Sequence, residues 1–102
     1  MENLVMLAKI FSDINRVKII ALVLRDEEVC VCEICDTLEL SQPLVSRHLK
    51  QIKQADILEA RQEGKWVIYS LSKTPSPFLV TFLTQIKALE VTLPKLISCN
   101  KL

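Results

Sequence analysis

Cys30, Cys32 and Cys35 fall within the six residues Cys-Val-Cys-Glu-Ile-Cys, and this spacing is the first point in the chain where chemistry can happen. Thiols so close together serve as soft-metal ligands or as a redox pair; packed away from water they are merely small hydrophobes. Cys30 and Cys32 stand too near each other for a good disulfide, and four cysteines in a reducing compartment favour free thiols. Cys99 stands apart and reads as incidental.

The cysteines also mark a reversal of charge. From Asp26 to Glu39 there are six acidic residues and no Lys or Arg; from Ser41 to Gln54 there are Arg47, Lys50 and Lys53 and no acid. A net charge of +1 argues against a binder that works by bulk positive charge, yet a local basic face suffices for one that reads a specific site, so charge alone leaves the partner undecided. The 102 residues make one domain, 1–102, whose modest core gains from association. No apolar run approaches the roughly 18 residues of a membrane span, and Met1 opens no secretory leader, so the expectation is a soluble, cytoplasmic protein.

The elements that must position these residues follow from periodicity. Leu4, Leu7, Ala8 and Phe11 repeat at helical spacing, as do Val17, Ile20, Ala21 and Leu24 after the N-cap region Ser12-Asp13. A turn at Asp26-Glu27-Glu28 precedes a short helix from about Val31 to Leu38, with Glu33 suited to its N-terminal dipole. Leu40 enters a tight turn. Ser41-Gln42-Pro43 starts another helix, because serine caps free N–H groups and proline in the first turn loses no hydrogen bond. Along it Val45, Leu49 and Ile52 make an apolar stripe, while Pro43, Ser46, Arg47, Lys50 and Gln54 face the other way. It should stop at Ala55-Asp56, since aspartate tolerates the left-handed conformation of a helix end.

Gly64, the one glycine, lies between two short segments rich in strand-forming residues and predicts a β-hairpin over about 57–71, with Arg61 and Lys65 near its tip. Trp66 and Tyr69 read as hairpin packing. After the linker Lys73-Thr74-Pro75-Ser76-Pro77, the residues Phe78, Phe82, Leu83, Ile86, Leu89 and Leu93 predict a helix over about 76–93, ended by Pro94.

Helix, helix, short helix, turn, basic helix, hairpin, helix is the order of a winged helix-turn-helix: mainly α with a β-hairpin (α+β), ααααββα. Such a fold lays the second helix of the pair in the major groove and touches backbone or minor groove with its wing. Ser41, Gln42 and Pro43 begin that helix; Gln42, Ser46 and Arg47 are placed for base edges, and Lys50, Lys53, Arg61 and Lys65 for phosphate. His48, the only histidine, borders the apolar stripe and suits helix packing or DNA equally. The apolar terminal helices exceed what so small a domain can cover, which favours a homodimer on a twofold DNA site.

"CVCEIC" followed by "LSQPLVSRHLKQIKQADILEARQEGKWVIYSLS" resembles the ArsR/SmtB family of metal-responsive repressors, closely over roughly residues 12 to 72. The resemblance implies a homodimeric repressor of an arsenic-resistance operon, not an enzyme, that leaves its operator when arsenite or antimonite binds Cys30, Cys32 and Cys35. Asp56 stands where the family often has glycine. Two other sensing sites of the family find no counterpart, since no cysteine precedes Cys30 and the last helix offers only Glu90. The chemistry agrees: As(III) and Sb(III) are soft and take three thiolates in a pyramid, whereas the same three would leave tetrahedral zinc a ligand short. In a regular helix Cys30 and Cys32 would point apart, so Cys30 is expected outside the helix, or metalloid is expected to unwind its first turn. A winged-helix sensor of thiol oxidation or of another thiophilic metal is the alternative. A metal buffer and a thiol oxidoreductase are weaker ones, the latter because Cys32-Glu33-Ile34-Cys35 lacks a βαβ context.

Overall fold

The computed structural model describes residues 2–88 and 93–98. Helix α1 (Glu2–Ile10) is followed by α2 (Ile14–Asp26), which starts where Asp13 accepts the backbone N–H groups of Asn15 at 2.8 Å and Arg16 at 3.3 Å. Ile19, Ile20, Ala21, Leu22 and Val23 are all buried, so the middle of α2 is enclosed on every side and forms the axis of the core, while Ile14 and Lys18 nearer its start are exposed.

Beyond the left-handed Glu27 (φ 69°) the chain enters β1 (Glu28–Cys30), a strand absent from the expected order. It pairs antiparallel with β3 (Trp66–Leu71), setting Val29 against Tyr69 and Cys30 against Ile68, and the sheet runs β1-β3-β2 with β2 at Leu58–Glu63. Three residues carry no readable alternation. What makes them a strand is the edge of β3, whose N–H and C=O groups need partners and which the hairpin alone leaves open.

Helix α3 (Val31–Leu38) ends at Glu39 in the left-handed region (φ 55°), and α4 (Gln42–Gln54) begins at the Ser41 cap, whose Oγ accepts Leu44 N–H at 3.4 Å. Asp56 takes the expected left-handed turn (φ 58°) out of α4. Val45, Leu49 and Ile52 are buried against the core as the stripe required. In the hairpin, Glu63 pairs with Trp66, so Gly64-Lys65 is the two-residue turn. Gly64 alone takes positive φ (59°), the sign pattern of a type II′ turn, which asks for glycine at its first central position.

Helix α5 (Pro77–Lys87) buries Leu79, Leu83 and Ile86, and its Phe82 stacks on Phe11 with ring centroids 4.4 Å apart. Its expected continuation to about residue 93 runs through 89–92, outside the described residues. Residues 93–98 are not helical and cross α2 and α3 as a strap. The Arg25 guanidinium donates to Pro94 O at 2.8 Å and Leu93 O at 3.4 Å, and Ile97 N–H donates to Thr37 Oγ1 at 2.8 Å. Leu93 and Leu96 pack against the core beneath it.

Candidate functional site

Cys30 ends β1 and caps α3 with extended backbone (φ −95°, ψ 166°), so it lies outside the helix that carries Cys32 and Cys35. Glu33, itself buried, fixes this geometry by accepting Cys30 N–H on Oε1 at 3.0 Å. Cys32 and Cys35, one turn apart, share a face of α3. All three cysteines line one cavity of about 630 Å³, together with Asp36, Gln42, Lys65 and Trp66. The cavity thus touches the start of α4 and the tip of the hairpin as well as the cysteine motif.

Its thiols differ. Cys35 is partly exposed, and burial followed by the neighbouring charge of Asp36 pushes its pKa above the ordinary thiol value. Cys32 Sγ lies 3.6 Å from Asp36 Oδ2. The expectation of free thiols holds for Cys30 and Cys35, but Cys32 is disulfide-bonded. Spacing within a motif shows which cysteines are too close to pair with each other; it does not show which distant segment packs beside them. Among the described residues no three His, Cys, Asp or Glu side chains already surround a metal position.

On α4, Ser41, Gln42, Pro43, Ser46, Arg47, Lys50 and Lys53 are all exposed and form one polar, basic surface. Lys65 stands at the hairpin tip with Nζ 5.5 Å from the centre of the Trp66 ring. Arg61 lies further back: it crosses the sheet to pair with Glu28 and meets Glu63 at 3.4 Å, so its charge is answered within the protein. Two residues of the cavity wall, Asp36 and Trp66, were not expected at the site from the sequence. Asp36 was legible as the residue one helical turn beyond Cys32, whereas the place of Trp66 depends on how the hairpin docks.

His48 is turned inward. Its Nδ1 lies 3.4 Å from Arg16 Nη1, which can only donate, so Nδ1 accepts and the ring carries its proton on Nε2. Arg16 ties this contact to Gln51 Oε1 at 3.1 Å and to the carbonyls of Ile10 and Lys9, pinning α4 to the α1–α2 corner. Burial holds the imidazole below its ordinary value of 6.5, with Arg16 and Arg47 acting in the same direction and Asp13 opposing. A base with a lowered folded pKa contributes stability that is complete above the unfolded value and is lost as pH falls through the folded one. The melting temperature should therefore drop as pH falls below the ordinary value of 6.5, and His48→Gln should flatten that decline. Asp13, whose carboxyl is lowered from 3.8 because the N–H groups of Asn15 and Arg16 outweigh its desolvation, acts only at more acid pH. Melts with the same pH slope in both proteins would refute this role for His48.

Comparison with known proteins fits this geometry. Residues 13–60 match the family described as "Bacterial regulatory protein, arsR family". The arsenic resistance transcriptional regulator ArsR1 of Pseudomonas putida is 48% identical over 63 residues, 62% of this chain and 49% of its own length. The arsenical resistance operon repressor of Escherichia coli is 43% identical over 68 residues, 67% of this chain and 58% of its own. The chain thus matches about half of each curated relative. Among solved structures, HlyU from Vibrio cholerae superposes with a TM-score of 0.71 at 30% identity, covering 85% of this chain and 94% of that one. These relatives are regulators, not enzymes, and the chain belongs to the arsR family of bacterial regulatory proteins.

Proposed function

We propose that this protein is a DNA-binding repressor of arsenic-resistance genes, released from its operator when As(III) or Sb(III) is bound by Cys30, Cys32 and Cys35. The observation that carries the reading is the shared cavity: the three cysteines line it together with Gln42, the first residue of α4, and Lys65 and Trp66 at the hairpin tip. A pyramidal trithiolate formed there has to draw Cys30 and Cys32 to one side. That change disturbs the Cys30–Glu33 cap and is felt directly at the base of the DNA-reading helix. Ser41, Gln42, Pro43, Ser46 and Arg47 would meet the major groove, Lys50, Lys53 and Lys65 phosphates. Arg61 supports the wing through Glu28 and reaches phosphate only by leaving that pair.

A twofold operator calls for a second copy of the chain. Leu4, Val5 and Met6 of α1 and Phe78 and Val80 of α5 are exposed, and the two helices adjoin through Phe11 and Phe82. Exposed apolar residues on two adjoining helices fit a homodimer formed by the terminal helices. No described helix is long and apolar enough to cross a membrane, and the working compartment of an operator-binding protein is the cytoplasm.

Fluorescence anisotropy of the fully reduced protein on DNA from upstream of its own gene, at fixed salt, tests the function. Specific binding should be reversed by arsenite or antimonite at concentrations where cadmium has little effect, because a tetrahedral ion lacks its fourth ligand here. Release by cadmium but not by arsenite would replace the metalloid with another thiophilic metal. Absence of specific binding would remove the repressor reading altogether. A thiol-oxidation sensor is the second reading, favoured by the disulfide at Cys32.

A further inference from the structure

We infer that Arg16 is a positioning residue for DNA reading: its guanidinium ties the reading helix α4 to the end of α1, and the tie holds only while His48 is uncharged. The guanidinium works on two sides. Toward α1, Nε donates to Ile10 O at 2.9 Å and Nη2 to Lys9 O at 2.8 Å, the last two carbonyls of that helix, where a cation also meets the negative end of the helix dipole. Toward α4, Nη1 donates to Gln51 Oε1 at 3.1 Å and to His48 Nδ1 at 3.4 Å. His48 is buried and its neighbour Arg47 is exposed on the basic surface, so a shift at the imidazole carries that surface with it.

What each end carries gives the tie its role, which rests on the operator-binding reading above. Helix α4 brings Ser46, Arg47 and Lys50 to the DNA, and α1 contributes exposed apolar residues to the proposed contact with a second copy. Two reading helices on a twofold site must stand about 34 Å apart, one turn of DNA. A side chain bonded to both helices fixes α4 relative to the contact that sets this spacing.

Protonation of His48 undoes one side only. A proton on Nδ1 removes the acceptor and sets an imidazolium against a guanidinium. Arg47 on α4 adds a second cation, and Asp13 at the cap of α2 opposes both. Among the described residues, α3 and β2, which also pack on α4, supply none of the charges that act on the ring. The two shorter bonds keep Arg16 on α1, so α4 is the helix released. The docked arrangement favours the neutral ring, so its stability is complete above 6.5 and is lost as pH falls through the lower value of the docked imidazole. His48 is the only histidine in the chain, so no other side chain has an ordinary pKa near neutrality.

Anisotropy of the reduced full chain, on its operator DNA and on an unrelated duplex of equal length, tests the tie at fixed salt as pH is lowered from about 7.5 to below 6.5. Operator affinity should fall by about threefold or more, no more steeply than about tenfold per pH unit for each copy bound. Affinity for the unrelated duplex should hold or rise, because an added proton only strengthens attraction to phosphate. His48→Asn keeps an acceptor at the Nδ1 position and gains no proton, so it should abolish the acid loss. Gln51→Ala removes one α4 acceptor at an exposed position and decides the matter where His48→Asn fails to fold. It should weaken operator binding by about 2- to 10-fold at neutral pH and leave the unrelated duplex unaffected. Operator affinity that is flat or rises with acid, an equal acid loss in His48→Asn, or a Gln51→Ala protein that binds like the parent would each overturn the tie. Hydrogen exchange of the free protein reads the tie without DNA: α4 amides should lose protection relative to α2 on acidification in the parent and keep it in His48→Asn. If the parent shows no specific DNA affinity at any pH, it is the operator-binding function that fails; unchanged relative protection of α4 overturns the tie itself.

Discussion

A reduced Cys32→Ser protein should hold its operator as tightly as the parent chain and stay bound at arsenite concentrations that strip the parent off. Serine keeps the size of the side chain but offers no soft donor, and As(III) then finds two thiolates where it needs three. Nearly complete switching demands that metalloid prefer the DNA-free form by on the order of 10⁴-fold, or about 5.5 kcal/mol. Losing one of three ligands should raise the arsenite midpoint by about 100-fold or more, close to 2.7 kcal/mol. Affinity for DNA should hold because Cys32 lies on α3 and is itself no part of the exposed face of α4, and serine keeps its size. Anisotropy titration with arsenite measures both quantities on one sample. A Cys32→Ser protein released at the parent's arsenite concentration would show that Cys32 is no ligand, and the site would have to be sought around Cys30 and Cys35.

Arg47→Ala should have the larger effect on DNA itself. Arg47 is exposed near the middle of the basic surface of α4, where a guanidinium can present two parallel N–H groups to a guanine edge. Each such pair is worth about 1–3 kcal/mol, and in a twofold complex the loss is counted twice. Specific affinity should therefore fall by roughly 30-fold to beyond 1,000-fold, with the melting temperature nearly unchanged because no core packing is lost. Arg47→Lys separates the possible roles. If the fork reads a base, lysine restores little; if the charge meets a phosphate, lysine restores most of the binding and the salt slope with it. An Arg47→Ala protein that binds its operator like the parent would place the reading face elsewhere on α4 or the wing.

Local signals carried most of the architecture. Ser41-Gln42-Pro43 set the start of α4, Asp56 its exit and Gly64 the hairpin turn, because caps and left-handed positions are decided by a few neighbouring atoms. The stripe of Val45, Leu49 and Ile52 fixed which face of α4 goes inward, and so left Ser46, Arg47 and Lys50 outside. Cysteine spacing led to two alternatives, Cys30 outside the helix or a first turn unwound by metalloid, and the structure places Cys30 at the N-cap of α3.

What the sequence determined by itself was this local grammar: the helices, the hairpin, the basic face and the thiol motif. Tertiary structure decided everything that depends on residues meeting from afar. Strand β1 exists because β3 has an open edge; His48 faces Arg16, 32 residues away, rather than DNA; Arg61 is answered by Glu28 across the sheet; and the strap returns over 60 residues of chain to reach Thr37 and Glu33. Periodicity records which side of an element is buried. It carries no record of which distant backbone groups and charges will be there to meet it, since those pairings are chosen only when the core packs and unsatisfied polar groups must find partners.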